Sequence, residues 1–302
     1  MSGSVLEGTM QNVKVGAIFP QTELGEHSSS VKTYAQKVES LGFAHILAYD
    51  HVLGADPTVH LNWNGFYDIH STFHEPFVLF GYLAAITEIE LVTSVIILPQ
   101  RQTALVAKQA AEVDLLSEGR FRLGVGLGWN RVEYEALGKS FGDRGQRIDE
   151  QIGLLRHLWC DDSVTFDGRW EQIHGAGLAP RPVQRPIPIW CGCMSEAGFR
   201  RAGRLADGWF PLVPLGRKLE DAIKTVNQSA ERAGRDPAEI GMEGRIDWAD
   251  GNIGRMIDEI GRWSDYGASH VSINTMKAGL KGVDAHLEAL ESLAEAASLT
   301  RE

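Results

Sequence analysis

The chain has 302 residues, enough to bury a large core and to fill one (β/α)8 barrel of roughly 250 residues with insertions. Its net charge of −11 and the lack of a basic stripe argue against nucleic acid, and its apolar runs fall far short of the ~20 residues that span a bilayer. Three cysteines, Cys160, Cys191 and Cys193, make no extracellular disulfide framework, and residues 1–12 are polar without the basic start and apolar stretch of a signal peptide, so a reducing cytoplasm is expected.

Strand-like and amphipathic helical patterns alternate along the chain. A strand over 13–19 precedes a helix over 28–41, and a strand over 44–49 ends at Asp50-His51. The polar and aromatic segment 52–74 exceeds an ordinary βα loop and is expected to be functional. Glu75-Pro76 opens a helix to 86, with proline at an early helical position. A strand over 91–98, a helix over 103–116 and a strand over 121–125 follow. Gly119 stands where a helix C-cap favours positive φ, and Gly124, Gly126 and Gly128 let backbone approach a ligand. That glycine spacing lacks the third glycine at a helix start and the later acidic residue of a dinucleotide loop.

The second half repeats the alternation. A helix over 145–159 carries Ile148, Ile152, Leu155 and Trp159 on one face. Residues 163–185 suggest a hairpin insertion, with strands over 164–166 and 169–171 joined at Asp167-Gly168. Strands are then predicted over 187–193, 208–212, 240–248 and 269–275, and helices over 195–205, 219–233, 252–266 and 283–297. Eight β/α pairs with near-continuous apolar strands imply an all-parallel sheet covered on both faces. The simplest closure is a single (β/α)8 TIM barrel over 1–302 with loop and hairpin insertions.

In such a barrel functional groups sit at the C-terminal ends of strands. Asp50-His51 is the best acid/base candidate there, since histidine titrates near neutral pH; the bland alternative is a polar loop residue beside a turn-capping aspartate. Ser195 opens a helix directly after a strand, either as an anion site of free backbone N–H groups or simply as an N-cap with Glu196 favoured by the helix dipole. His70 and His74 have helical metal spacing but no HExxH pattern, and Cys191 and Cys193 are too close for a usual zinc or redox motif, so no metal is expected. Trp63, Phe66 and Tyr67 could form an apolar lid or pack on the barrel rim. No nucleophile elbow or Walker loop is present.

In order along the chain, Asp50-His51, residues 91–101 (LVTSVIILPQR), 107–129 (AKQAAEVDLLSEGRFRLGVGLGW), 188–197 (PIWCGCMSEA) and 206–210 (ADGWF) resemble the bacterial luciferase-like monooxygenase family, and more closely its F420-dependent oxidoreductase branch. The resemblance runs from about 13 to 275. It implies a TIM barrel holding a flavin or deazaflavin at its C-terminal face. Asp50 would lie near the ring, with His51 as base or proton donor. A cis peptide in a strand bulge behind the ring would fall at Ser94-Val95. The phosphate loop would span Gly192, Cys193, Met194, Ser195, Glu196 and Ala197, and Gly126 and Trp129 would line the site. Two departures matter. Trp129 stands where the family's sugar-phosphate dehydrogenases carry a catalytic glutamate, which favours an apolar or aromatic substrate. Leu127 stands where the luciferases carry a phosphate-binding arginine, which favours coenzyme F420 over FMN. The reading is thus an F420-dependent oxidoreductase acting on a small molecule, expected to be a homodimer with no nucleic-acid or membrane partner. An FMN-dependent monooxygenase and a non-catalytic flavin- or deazaflavin-binding protein are the alternatives.

Overall fold

The computed structural model describes residues 13–24, 27–248 and 250–300; the reading of 1–12 as a segment without a leader lies outside them. Eight parallel strands close on themselves: β1 (Lys14–Ile18), β2 (His45–Ala48), β3 (Glu90–Thr93) continued by the short β4 (Ile96–Ile97), β5 (Phe121–Gly126), β8 (Ile189–Cys193), β9 (Gly208–Pro211), β10 (Gly241–Asp247) and β11 (His270–Asn274). β11 pairs with β1, which completes the TIM barrel expected from the alternation. The helices are α1 (Ser28–Ser40), α2 (Pro76–Ala84), α3 (Thr103–Leu116), α4 (Arg131–Ala136), α5 (Arg144–Cys160), α6 (Glu196–Leu205), α7 (Arg217–Arg232), α8 (Ile253–Asp265) and α9 (Gly282–Ala296). Among the described residues no helix is long and apolar enough to cross a membrane.

Local chemistry accounts for most boundaries. The Glu75 carboxylate accepts the Val78 N–H at 2.8 Å and Pro76 fills the first turn, which starts α2. α3 ends where Glu118 and Gly119 take positive φ and the Gly119 N–H reaches the Asp114 carbonyl at 2.8 Å. The main core lies between strands and helices. In it Trp159 of α5 is fully buried and donates its indole N–H to the Ala107 carbonyl of α3 at 3.0 Å. Truncating such a side chain costs about 3–5 kcal/mol. A smaller cluster inside the barrel joins Ile18, Leu47, Val92, Trp190, Phe210 and Met276.

Three departures from the sequence pattern have identifiable causes. The strand expected over 91–98 is broken by a cis peptide at Ser94-Val95 and ends in a 3-10 turn, Leu98–Gln100. The break is held from outside the strand: the Ser94 N–H bonds the Ala48 carbonyl of β2 at 2.8 Å. The hairpin is present as β6 (Val164–Asp167) and β7 (Gln172–Ala176), so residues 169–171 form its turn and not its return strand. Glu150 of α5 accepts the amides of Arg169, Trp170 and Glu171 at 2.9, 2.9 and 2.8 Å, which pulls that segment off the ladder. The third departure is α4, a helix the apolar periodicity did not announce.

Candidate active site

At the C-terminal mouth of the barrel, residues 50–53 leave β2 and meet the bulge between β3 and β4. Asp50 is buried and both of its oxygens are occupied. One accepts the Ile97 N–H at 3.1 Å, and the other binds the Arg101 guanidinium at 2.8 Å. Arg101 extends to Glu75 at 2.8 Å, linking the bulge to the start of α2. Burial pushes the Asp50 carboxyl above its ordinary value, opposed by Arg101 and the Ile97 amide. Asp50 therefore braces the Ser94-Val95 bulge from beyond it, while Ser94 ties the near side to β2.

The bulge supplies an apolar floor. Val95 packs on the cluster inside the barrel. A Cβ on Gly126 would sit 2.4 Å from one Val95 methyl, and a Cβ on Gly192 would sit 3.1 Å from the other, so both glycines are needed to seat this side chain. At Gly124 the approach is closer still: a Cβ would lie 1.8 Å from the Thr93 carbonyl oxygen. Thr93 Oγ1 completes the seam by accepting the Gly124 N–H and donating to the Gly124 carbonyl, both at 2.9 Å. Gly124 and Gly126 thus belong to β5 itself, and only Gly128, with φ +64°, is a loop glycine with positive φ.

His51 lies within a ring of aromatic side chains. Phe73, Tyr67 and Trp129 lie 4.8, 5.1 and 5.4 Å from its imidazole, centroid to centroid. Trp63 and Phe66 from the 52–74 segment each approach Trp129 at 5.6 Å. Gly65 lies between the two indoles, where a Cβ would come within 2.4 Å of both. Trp63 and Phe66 of that segment thus pack on Trp129, and Tyr67 packs on the histidine.

The residue that sequence reasoning missed is Glu133. Its side chain on α4 is 1% exposed and faces His51 Nδ1 at 3.8 Å. One oxygen accepts the N–H groups of Val52 and Leu53 at 2.6 and 3.1 Å; the other accepts Gln100 Nε2 at 3.0 Å. Burial alone would raise this carboxyl, but the His51 and Gln100 side chains and the Leu53 amide outweigh it and hold Glu133 below its ordinary value. Asn130 caps α4 by accepting the Glu133 N–H at 3.2 Å and donates to the Leu53 carbonyl at 3.1 Å. Asn130-x-x-Glu133 is a helix-start signature and could have revealed α4, though the glutamate turns outward to another loop instead of back to the cap.

The loop after β8 stands apart from these contacts. Met194, Ser195, Glu196 and Ala197 are exposed, whereas Cys191 and Cys193 are buried strand residues. Ser195 caps α6, accepting the Gly198 N–H at 3.4 Å, and Glu196 pairs with Arg200. A cleft of about 630 Å³ opens beside Ala197. Two of its arginines, Arg201 and Arg204, are paired with Asp149, so little unbalanced cationic charge faces it. His70 and His74 form no metal cluster; among the described residues no group of three potential ligands occurs.

This architecture agrees with the comparison with known proteins, in which a luciferase-like monooxygenase family model matches residues 13–245. The chain belongs to the luciferase-like monooxygenase family. An uncharacterized protein of Mycobacterium tuberculosis (strain ATCC 25618 / H37Rv) is 35% identical over 230 residues, covering 74% of this chain and 77% of its own. An F420-dependent glucose-6-phosphate dehydrogenase of Intrasporangium calvum is 31% identical over 211 residues, covering 66% of this chain and 59% of its own. Among solved structures, an F420-dependent secondary alcohol dehydrogenase in complex with an F420-acetone adduct has a TM-score of 0.78 at 18% identity, covering 95% of this chain and 99% of its own. At that identity the likeness is one of fold. As a luciferase-like monooxygenase family member the chain is an oxidoreductase.

Proposed function

We propose that this chain is a coenzyme F420-dependent oxidoreductase that moves a hydride between the deazaflavin and a small apolar or aromatic substrate. The observation that carries the reading is the Val95 floor, seated between Gly126 and Gly192 at the C-terminal mouth where His51 leaves β2. The relatedness to a glucose-6-phosphate dehydrogenase named as F420-dependent supports the cofactor. Bound at this floor, the deazaflavin would supply the hydride-carrying carbon C5. Val95 would support one face of its ring, with Ser94 fixing the bulge and Gly126 allowing the approach. The backbone N–H groups of residues 192–197 would hold the phosphate at the start of α6. Asp50 would act at one remove, by fixing the bulge.

His51 would exchange the proton that accompanies hydride transfer, and the rings of Tyr67, Phe73 and Trp129 packed on it would exclude water around it. That wall favours an apolar or aromatic substrate, as does Trp129 in place of an acidic partner. Val78 and Tyr82 on α2 and Leu105 on α3 expose apolar side chains, which fits the expected homodimer.

The test is a fluorescence titration with F420 and with FMN. Micromolar or tighter F420 binding, about −8 kcal/mol or better, and weaker FMN binding are expected, because Leu127 offers no cation to a flavin phosphate. FMN binding as tight as F420 binding would overturn the cofactor assignment in favour of an FMN-dependent enzyme.

A further inference from the structure

We propose that Glu133 is the positioning residue that fixes the His51 tautomer, holding the proton on Nδ1 and leaving Nε2 as the nitrogen that exchanges protons. The inference rests on the reading of His51 as the proton carrier, but its geometry stands without a cofactor.

An imidazole carries its two nitrogens on opposite flanks, and only one holds a proton in the neutral ring. Here Nδ1 faces a carboxylate that is 1% exposed, at 3.8 Å. An ionised carboxylate accepts and cannot donate, so the proton is favoured on the nitrogen facing it. Nε2 has no partner among the described residues. Three aromatic rings bound the imidazole, so rotation about its side-chain bonds is restricted.

Glu133 is itself immobilised, which a positioning group requires. Its two oxygens take three hydrogen bonds, two of them from the amides directly after His51. Asn130 fixes the first turn of α4 and holds the Leu53 carbonyl at the same time. The carboxylate therefore controls both the backbone that carries His51 and the flank of its ring. The roles are those of the base and orienter of hydrolytic triads, here at 3.8 Å, an ion-pair separation longer than a hydrogen bond, and without a nucleophile.

Replacing Glu133 with glutamine distinguishes this role from simple bracing. The carbonyl of the new amide could still accept the Val52 and Leu53 N–H groups, but its NH2 would then face Nδ1, which must become the acceptor. The experiment is 15N NMR of the histidine rings of the full-length protein at about pH 8, above the ordinary histidine range. His51 is assigned by its loss in His51→Ala, among ten histidines.

The expected result is Nδ1–H in the parent protein and Nε2–H in Glu133→Gln. Gln100→Leu, which removes a competing donor from the same carboxylate, should keep Nδ1–H. Turnover of Glu133→Gln should fall by about 10- to 100-fold, as when an orienting partner is lost, with F420 affinity little changed. An Nε2–H tautomer in the parent protein would overturn the proposal, and that measurement needs no variant to fold. An unchanged Nδ1–H signal in a folded Glu133→Gln would overturn it as well. Failure to bind F420 leaves the spectra readable, so it counts against the cofactor reading alone.

Discussion

At the N-terminal end of the barrel, Glu243 accepts hydrogen bonds from Ser272 Oγ at 2.5 Å and Arg122 Nη1 at 2.9 Å and pairs with His45 Nε2 at 2.8 Å. Arg122 also binds Glu90 at 2.8 Å and lies 4.4 Å over the Trp190 ring. At the C-terminal mouth, Glu133 is equally buried, yet its hydrogen-bond partners are backbone and amide donors, and its histidine stands 3.8 Å away, beyond hydrogen-bond length. One end of the barrel interior sets charge against charge, with His45 Nδ1 and Arg122 Nη2 left unpartnered; the other braces the backbone that carries a histidine. Burial of ionisable groups therefore does not by itself mark a reactive site in this fold. Nor does an unused polar atom, since His45 Nδ1 and Arg122 Nη2 of the lower network are buried without a partner.

The sharpest way to test that contrast is to remove one group from each end. His51→Ala should lower turnover by about 10²–10⁴-fold, the range for loss of general acid–base catalysis, with cofactor affinity nearly unchanged. Thermal melts must accompany the assay, since a normally folded mutant with normal turnover would return His51 to the role of a polar loop residue. Arg122→Leu should act on the fold instead. It leaves the Glu243 and Glu90 carboxylates without their shared partner and should cost about 3–5 kcal/mol in chemical denaturation. A loss under about 1 kcal/mol would mean that the lower network is not a charge-matched unit.

Acid should act mainly on the lower end. Burial raises the Glu243 carboxyl, but His45 and Arg122 outweigh it and hold it far below its ordinary value. Its contribution is therefore complete above the ordinary carboxylate range and is lost as pH falls toward the folded value. His270 is pulled down to about 2, first by burial and then by Arg122 and His45. It stays neutral in the fold while the unfolded chain takes up a proton below about pH 6.5. Stability should thus fall on acidification by at most about 1.4 kcal/mol per pH unit from this group, and His270→Asn should flatten the slope between about pH 6.5 and 4.5. An unchanged slope in equilibrium denaturation would remove His270 from the account.

The smallest effect is expected at α6. Ser195→Ala should cost about 0.5–1 kcal/mol, because its capping bond of 3.4 Å is long. If the anion site is made of backbone N–H groups, F420 affinity should barely move; a tenfold loss would assign the Ser195 hydroxyl to the phosphate.

Much of the barrel was legible because its strands and helices follow local rules: α3 spans the stretch its periodicity and Gly119 delimit, and Ser195 and Pro76 start helices where caps belong. The Asp50-His51 step was legible as a strand end, but not its division of labour. Nothing near Asp50 in sequence shows that Ile97 and Arg101 occupy its oxygens. The bulge is likewise set by Ala48 and Asp50 across the sheet, which an apolar run over 91–98 cannot express. Glu133 was hidden because an acidic residue in a short helix that also carries Arg131 and Glu135 reads as solvent-facing, and its partners at Val52 and Leu53 lie 81 and 80 positions away.

That separation has a kinetic consequence. The grips of Glu133 on Val52 and of Asn130 on Leu53 span 81 and 77 residues of chain. During synthesis or refolding, the segment around His51 emerges well before its clamp, and it cannot be seated until β5 has joined the sheet and α4 has formed. Contacts that close such long loops are expected late in folding and early in local unfolding. Amide exchange at Val52 and Leu53 should therefore be faster than exchange in β1 or β11, so that on warming the molecule loses the seating of His51 while the barrel around it is still intact.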